Sequence, residues 1–162
     1  MDDDAVRIEI YFNTTREKVW KAWTEPEFIL KWFGSDPNGK GLSAKMNVEQ
    51  GGSYEITFKD GDGTEHTCMG KYLTVEKFRQ LSFTWEWKNE PGVESLVNIL
   101  LDSLNDSIVM TFEHKNLGRD SAHNYLAGWK ETFLKLEKVL NSWTTSGGQQ
   151  NIVKKPRKKK GN

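Results

Sequence analysis

Apolar and polar residues change their spacing three times along this chain, and the changes mark out its elements. From Val6 to Phe12 they alternate, with Val6, Ile8, Ile10 and Phe12 on one side, the period of a half-buried strand. The spacing then turns helical. Thr14 or Thr15 is placed to cap a short helix with Val19, Trp20 and Trp23 along one edge, because either hydroxyl can accept a free backbone N–H. Pro26 suits the first turn of a second short helix, carrying Phe28, Ile29, Trp32 and Phe33. Residues 34–41 read as a loop. Alternation returns between Leu42 and His114, in strands over 44–48, 54–58, 67–75, 81–87, 95–101 and 107–114. Turns separate them at Gly51-Gly52, Asp60-Gly61-Asp62-Gly63, where both glycines are free to take positive φ, Asn89-Glu90-Pro91-Gly92 and Asn105-Asp106.

The last change comes after Gly118, which is placed to end the preceding segment. From Ser121 to Asn141, Leu126, Trp129, Phe133, Leu136 and Leu140 fall on one helical face, and Lys130, Lys135 and Lys138 on the opposite, solvated one. Asp120 or Ser121 is positioned to cap it. The economical assembly is α+β: a curved antiparallel sheet of six to seven strands wrapped around the long C-terminal helix. Two short helices after the first strand close one end. Phe133, Leu136 and Leu140 read as plain core. The half with His123, Tyr125, Leu126, Gly128 and Trp129 mixes polar, small and bulky groups, and would be the floor of any pocket.

Composition narrows the setting. At 162 residues, 36% hydrophobic and 28% charged, the chain suits one water-exposed domain. No apolar run approaches the ~20 residues that cross a bilayer, and Met1-Asp2-Asp3-Asp4 is acidic where an export signal is basic and then apolar. The single cysteine, Cys68, fits a reducing compartment, so a cytoplasmic location without membrane insertion is expected. Asn13-Thr14-Thr15 and Asn105-Asp106-Ser107 then match the glycosylation pattern by chance.

The zero net charge conceals an asymmetry. Six of the 23 basic residues lie between Lys154 and Lys160, and none of the 23 acidic residues lies beyond Glu137. We therefore expect a folded domain over 1–143 and a disordered basic tail over 144–162. Residues 154–160 would attract nucleic acid, acidic lipid or an acidic partner, or serve only as a solubilising terminus. The sequence carries no signal of oligomeric state.

Candidate chemistry is sparse. Gly34-Ser35-Asp36-Pro37-Asn38-Gly39-Lys40-Gly41 approaches the phosphate-binding loop pattern, but Gly41 lacks the hydroxyl for Mg²⁺ and the segment follows a helix instead of a strand. Asp60 to Glu65 fails the calcium-loop spacing, with Glu65 where glycine is needed. His66, Cys68, His114 and His123 supply zinc-ligand types without zinc-ligand spacing. Cys68 reads as a small buried side chain, and no nucleophile–base–orienter set stands out. No metal and no cofactor is expected. Glu86 and Glu113 alternate with apolar neighbours and should face water.

The order of elements, with certain short motifs, resembles a known superfamily. The motifs are Val19-Trp20, Ala22-Trp23-Thr24, Pro26-Glu27, Trp32-Phe33-Gly34, Gly51-Gly52-Ser53-Tyr54, Gly70-Lys71-Tyr72 and Leu81-Ser82-Phe83-Thr84-Trp85, then His123 and Gly128-Trp129 leading to Leu136. Over residues 6–142 the chain resembles the START-like (helix-grip, SRPBCC) superfamily, and within it the domain named for homologues of the heat-shock protein 90 ATPase activator. None of these motifs is catalytic. Co-chaperones of this type carry an additional N-terminal domain for which this chain has no room, so ATPase activation is not expected of it.

The resemblance implies a cavity between the long helix and the concave sheet, which relatives use for lipids, hormones, polyketides and other apolar molecules. The expected wall is Trp32, Phe33, Tyr54, Phe58, Trp85, Trp87, Met110, Phe112, Tyr125 and Trp129, with His114 as the polar contact. Seven tryptophans are equally able to fill a solid core. Three readings follow: a non-enzymatic binder of a small apolar ligand, a polyketide cyclase-like or lyase-like enzyme using His114 or a tyrosine as acid or base, and a chaperone-related interaction module. Binding is the first of these.

Overall fold

The computed structural model describes residues 5–117 and 119–146, the side chains of 119–123 and 144–146 excepted. The elements run β1 (Val6–Phe12), α1 (Arg16–Thr24), α2 (Pro26–Ile29), β2 (Lys40–Met46), β3 (Ser53–Lys59), β4 (Glu65–Glu76), β5 (Gln80–Trp87), β6 (Ser95–Leu104), β7 (Ser107–Lys115) and α3 (Arg119–Ser146). The seven strands form one antiparallel sheet in the order β1-β7-β6-β5-β4-β3-β2. Consecutive hairpins build β2 to β7, while α1 and α2 carry the chain from β1 at one edge to β2 at the other. This is the α+β helix-grip arrangement expected from the pattern.

Period-two alternation decides which side chains face inward. Tyr54, Ile56 and Phe58 on β3, Leu81, Phe83 and Trp85 on β5, Val97, Ile99 and Leu101 on β6, and Ile108, Met110, Phe112 and His114 on β7 are all buried. Against this concave face lies α3, through Trp129, Phe133, Leu136 and Leu140. Each such side chain contributes roughly 1.5–3 kcal/mol on burial. The packing is ring on ring: Phe112 lies 4.5 Å from Trp129 and 5.0 Å from Phe133, centroid to centroid. Glu86 and Glu113 stay on the other face. There Glu113 pairs with Arg7 at 2.5 Å, and Glu86 accepts the Gly92 N–H at 3.0 Å.

At the other end, α1 drives Trp23 into the centre of the core. Thr15 caps this helix by accepting the Lys18 N–H at 3.3 Å. Pro26 occupies the first turn of α2, where its missing N–H has no helical partner to lose.

The structure redraws several boundaries. The second helix stops at Ile29, so Trp32 and Phe33 sit in the turn that follows and point inward from it. The strand expected at 44–48 begins at Lys40 instead, because it pairs with β3 back to Lys59. In the β3–β4 turn only Gly63 takes positive φ (94°); Gly61 does not. The last helix extends from Arg119 to Ser146, which places Asp120 and Ser121 inside it. Lys135 is not a solvated outer-face lysine: it is half-buried and donates to the Asp36 carbonyl at 2.9 Å. Burial lowers its pKa, against the pull of Asp36 and Asp60. Gly118, the His123 side chain and the basic stretch 154–160 lie outside the described residues.

Candidate functional site

The space under the helices on the concave face of the sheet has two unlike ends. Under α1 and α2, Trp23, Ile29, Tyr54, Ile56, Tyr72, Leu81 and Phe83 leave a void of only about 10 Å³. Polar atoms there are spoken for. Trp32 Nε1 donates to the Ala22 carbonyl at 3.1 Å, Trp23 Nε1 to Met110 Sδ at 3.4 Å, and the Tyr54 hydroxyl to the Thr84 carbonyl at 2.6 Å. Burial pushes the Tyr54, Tyr72 and Cys68 pKa values up, so all three stay protonated and inert.

The opposite end holds a cavity of about 460 Å³. Phe33 stands between the two, 5.6 Å from Phe58, 5.9 Å from Trp85 and 6.1 Å from Trp129. The cavity wall is Phe58, Trp85 and Trp87 from the sheet, Phe33 from the turn after α2, and Tyr125 and Trp129 from α3, with Gly34, Ser35, Asp60, His66, Glu90, Asn124, Gly128 and Thr132 around them. Gly34 is required where it is: its φ is +111°, and a Cβ would stand 2.8 Å from the Phe58 ring. The loop after it is tied down by Asp36, whose carboxylate accepts the N–H groups of Asn38 (2.9 Å) and Gly61 (2.7 Å). Those bonds hold the Asp36 pKa below its usual value.

Of the eleven residues expected at the site, Phe33, Phe58, Trp85, Trp87, Tyr125 and Trp129 line this cavity. Trp32, Tyr54, Met110, Phe112 and His114 do not. They are buried behind it or at the filled end.

His114 is the most informative of these. It is fully buried, between Ser95 Oγ at 2.7 Å and Trp129 Nε1 at 3.0 Å. An indole nitrogen only donates, so Nδ1 must be the acceptor and the ring hydrogen must sit on Nε2. That hydrogen goes to Ser95, whose own hydroxyl donates to the Trp85 carbonyl at 3.3 Å. Burial holds the imidazole neutral, with its pKa down to about 3. Both ring nitrogens are engaged, and Ser95 receives a proton donor where a nucleophile would need an acceptor. The trio positions Trp129 and Trp85; it is not built for proton transfer.

The reactive-looking groups at the cavity itself are few. His66 Nε2 lies 2.8 Å from Asp60 Oδ2 at the mouth. Trp87 Nε1 donates to the Tyr125 hydroxyl at 2.8 Å, while the neighbouring Trp85 Nε1 is buried without a hydrogen-bond partner. Burial raises the Tyr125 pKa, opposed by the two indoles beside it. No lysine or arginine is among the described lining residues. Nor is any group of three or more His, Cys, Asp or Glu among the described residues placed to hold a metal. Cys68 faces the core, away from any such use.

The polar rim was the part that periodicity did not reveal. His66 is the register partner of Phe58 and Asp60 follows it by two residues, so the β3–β4 pairing brings both to the mouth. Asn124, Gly128 and Thr132 recur every fourth residue along α3, a small-polar stripe beside the apolar one.

A family model described as Activator of Hsp90 ATPase homolog 1-like protein matches residues 13–141. No curated protein matches the chain. Among solved structures, protein CV1439 from Chromobacterium violaceum superposes with a TM-score of 0.77 at 18% identity, over 85% of this chain and 96% of that one. The AHSA1 protein SPO3351 from Silicibacter pomeroyi does so at 0.76 and 20%, over 85% and 98%. CalU16 from Micromonospora echinospora gives 0.66 at 21%, over 84% and 75%. At these identities the likeness is one of fold.

Proposed function

The chain belongs to the Activator of Hsp90 ATPase homolog 1-like family, and from its cavity we propose that it binds a small, largely apolar molecule between α3 and the concave sheet without transforming it. The observation that carries this is the aromatic-walled cavity of about 460 Å³, where the region under α1 and α2 leaves only about 10 Å³. A space of this size lies within the ~300–1,000 Å³ range of small-molecule sites, and an aromatic wall with a few polar groups is their usual lining. Phe33, Phe58, Trp85, Trp87, Tyr125 and Trp129 are the contact residues. Phe112 and His114 support them from behind, while Trp32, Tyr54 and Met110 pack at the filled end. His114 favours binding over catalysis, because its two nitrogens are committed to Trp129 and Ser95.

The test is a titration with a hydrophobic dye and a panel of apolar aromatic and acyl compounds. Occupancy should quench tryptophan fluorescence saturably and raise the melting temperature with ligand concentration. A Trp129→Ala variant should lose both responses. A panel in which no compound gives a saturable change would count against the reading. In the described residues no helix is long and apolar enough to cross a membrane.

A further inference from the structure

An aromatic wall selects for shape and apolar surface; it does not say where a polar atom of the ligand would go. One feature of the wall does. Trp85 and Trp87 alternate onto the concave face of β5 with their rings 5.3 Å apart. Trp87 donates to the Tyr125 oxygen at 2.8 Å; Trp85, its ring 6.4 Å from that of Tyr125 and only 4% exposed, makes no hydrogen bond of good geometry. A buried donor without a partner is an unfavourable arrangement in a folded chain, and rare. A phenol oxygen accepts a second bond poorly, since one lone pair is drawn into the ring. A carbonyl oxygen offers two good lone pairs and matches a pair of converging donors. Tyr125 is itself half-buried and sits on the part of α3 that floors the cavity.

Building on the binding reading above, we propose that the ligand carries a neutral hydrogen-bond-accepting oxygen, and that this oxygen takes the place of the Tyr125 phenol on the paired indole donors of Trp85 and Trp87. Tyr125 turns aside as the ligand enters. The seat suits a ketone, amide or similar neutral oxygen better than a carboxylate. Asp60 and Glu90 stand at the mouth, no lysine or arginine lines the cavity among the described residues, and a buried anion needs a counter-charge.

Three probes of one shape separate the possibilities on the full chain: naphthyl methyl ketone, ethylnaphthalene and naphthoate, compared by calorimetry or tryptophan quenching. The ketone should bind roughly tenfold more tightly than the hydrocarbon, the usual worth of one well-made buried hydrogen bond, and more tightly than naphthoate. In Trp85→Phe the preference for ketone over hydrocarbon should fall most of the way to parity. In Tyr125→Leu, which frees the seat without touching the donors, it should widen; this variant decides the matter if Trp85→Phe does not fold. Equal binding of ketone and hydrocarbon to the wild type, a preference that survives Trp85→Phe, or one that narrows or stays fixed in Tyr125→Leu would each overturn the seat while leaving the pocket standing. Naphthoate as tight as the ketone would overturn its neutrality. If none of the three binds, the pocket reading fails with it.

Discussion

The two ends of the core on the concave face of the sheet are built from the same kind of residue and have opposite outcomes. At the filled end Trp23 touches Trp32, Phe83, Phe112 and Phe133, with ring centroids from 4.7 to 6.4 Å, and almost no space is left. At the other, Phe58, Trp85, Trp87, Tyr125 and Trp129 surround about 460 Å³. What differs is the backing. Rings at the filled end are pressed by α1 and α2 from one side and by β3 to β5 from the other, and each indole N–H has an acceptor. Rings at the open end are backed by Phe112 and His114, but across the cavity stand Gly34, Ser35, Asn124, Gly128 and Thr132, too small to fill the gap. Aromatic richness does not by itself make a pocket; a shortage of opposing side chains does.

The largest difference between the ends is expected at Trp23. Replacing it with alanine should remove about 3–5 kcal/mol of stability, as for other buried tryptophans. Trp87→Ala, at the half-exposed mouth, should cost at most about half of that. Chemical denaturation of both variants gives the difference; equal losses would mean that the open end is packed as tightly as the filled one.

A second effect comes from the histidine behind the cavity wall. His114 is neutral in the fold, with a pKa near 3, and titrates near 6.5 once unfolded. The unfolded chain therefore binds the proton first. Stability is complete above about pH 6.5 and falls as pH drops toward 3, by up to ~1.4 kcal/mol per unit. Between pH 6 and 4 this amounts to about 2 kcal/mol, and His114→Gln should lose that part of the slope. A slope unchanged in the variant would place the imidazole in contact with water.

The smallest effect is expected on the helix that floors the cavity. Gly128 sits inside α3, where alanine is better by ~1 kcal/mol. A Cβ there would meet only Ser35, at 3.6 Å, an ordinary contact. Gly128→Ala should thus raise stability by up to about 1 kcal/mol while weakening binding of a bulky apolar probe. Loss of stability would mean that this glycine serves packing and not the cavity.

The fold was legible because alternation and helical spacing speak for each element independently. Tyr54, Ile56 and Phe58, and later Trp129, Phe133 and Leu136, announce their faces without any knowledge of their partners. The site was legible only in part. Six aromatics of the wall were visible, but so in the same way were Trp32, Tyr54, Met110 and Phe112, since a ring that fills space and a ring that lines it have the same spacing. The rim depended on register: His66 is at the mouth because it pairs with Phe58. The state of His114 depended on Trp129 and Ser95, which reach it from another strand and from the helix, and no local pattern encodes that meeting.

The most direct measurement follows the indole N–H signals of the seven tryptophans by NMR while an apolar aromatic probe is added. If the account is right, Trp85, Trp87 and Trp129 shift along one saturating curve while Trp23 and Trp32 hold their positions. Shifts at Trp23 and Trp32 of the same size, or none at Trp85, Trp87 and Trp129 under saturating probe, would contradict it.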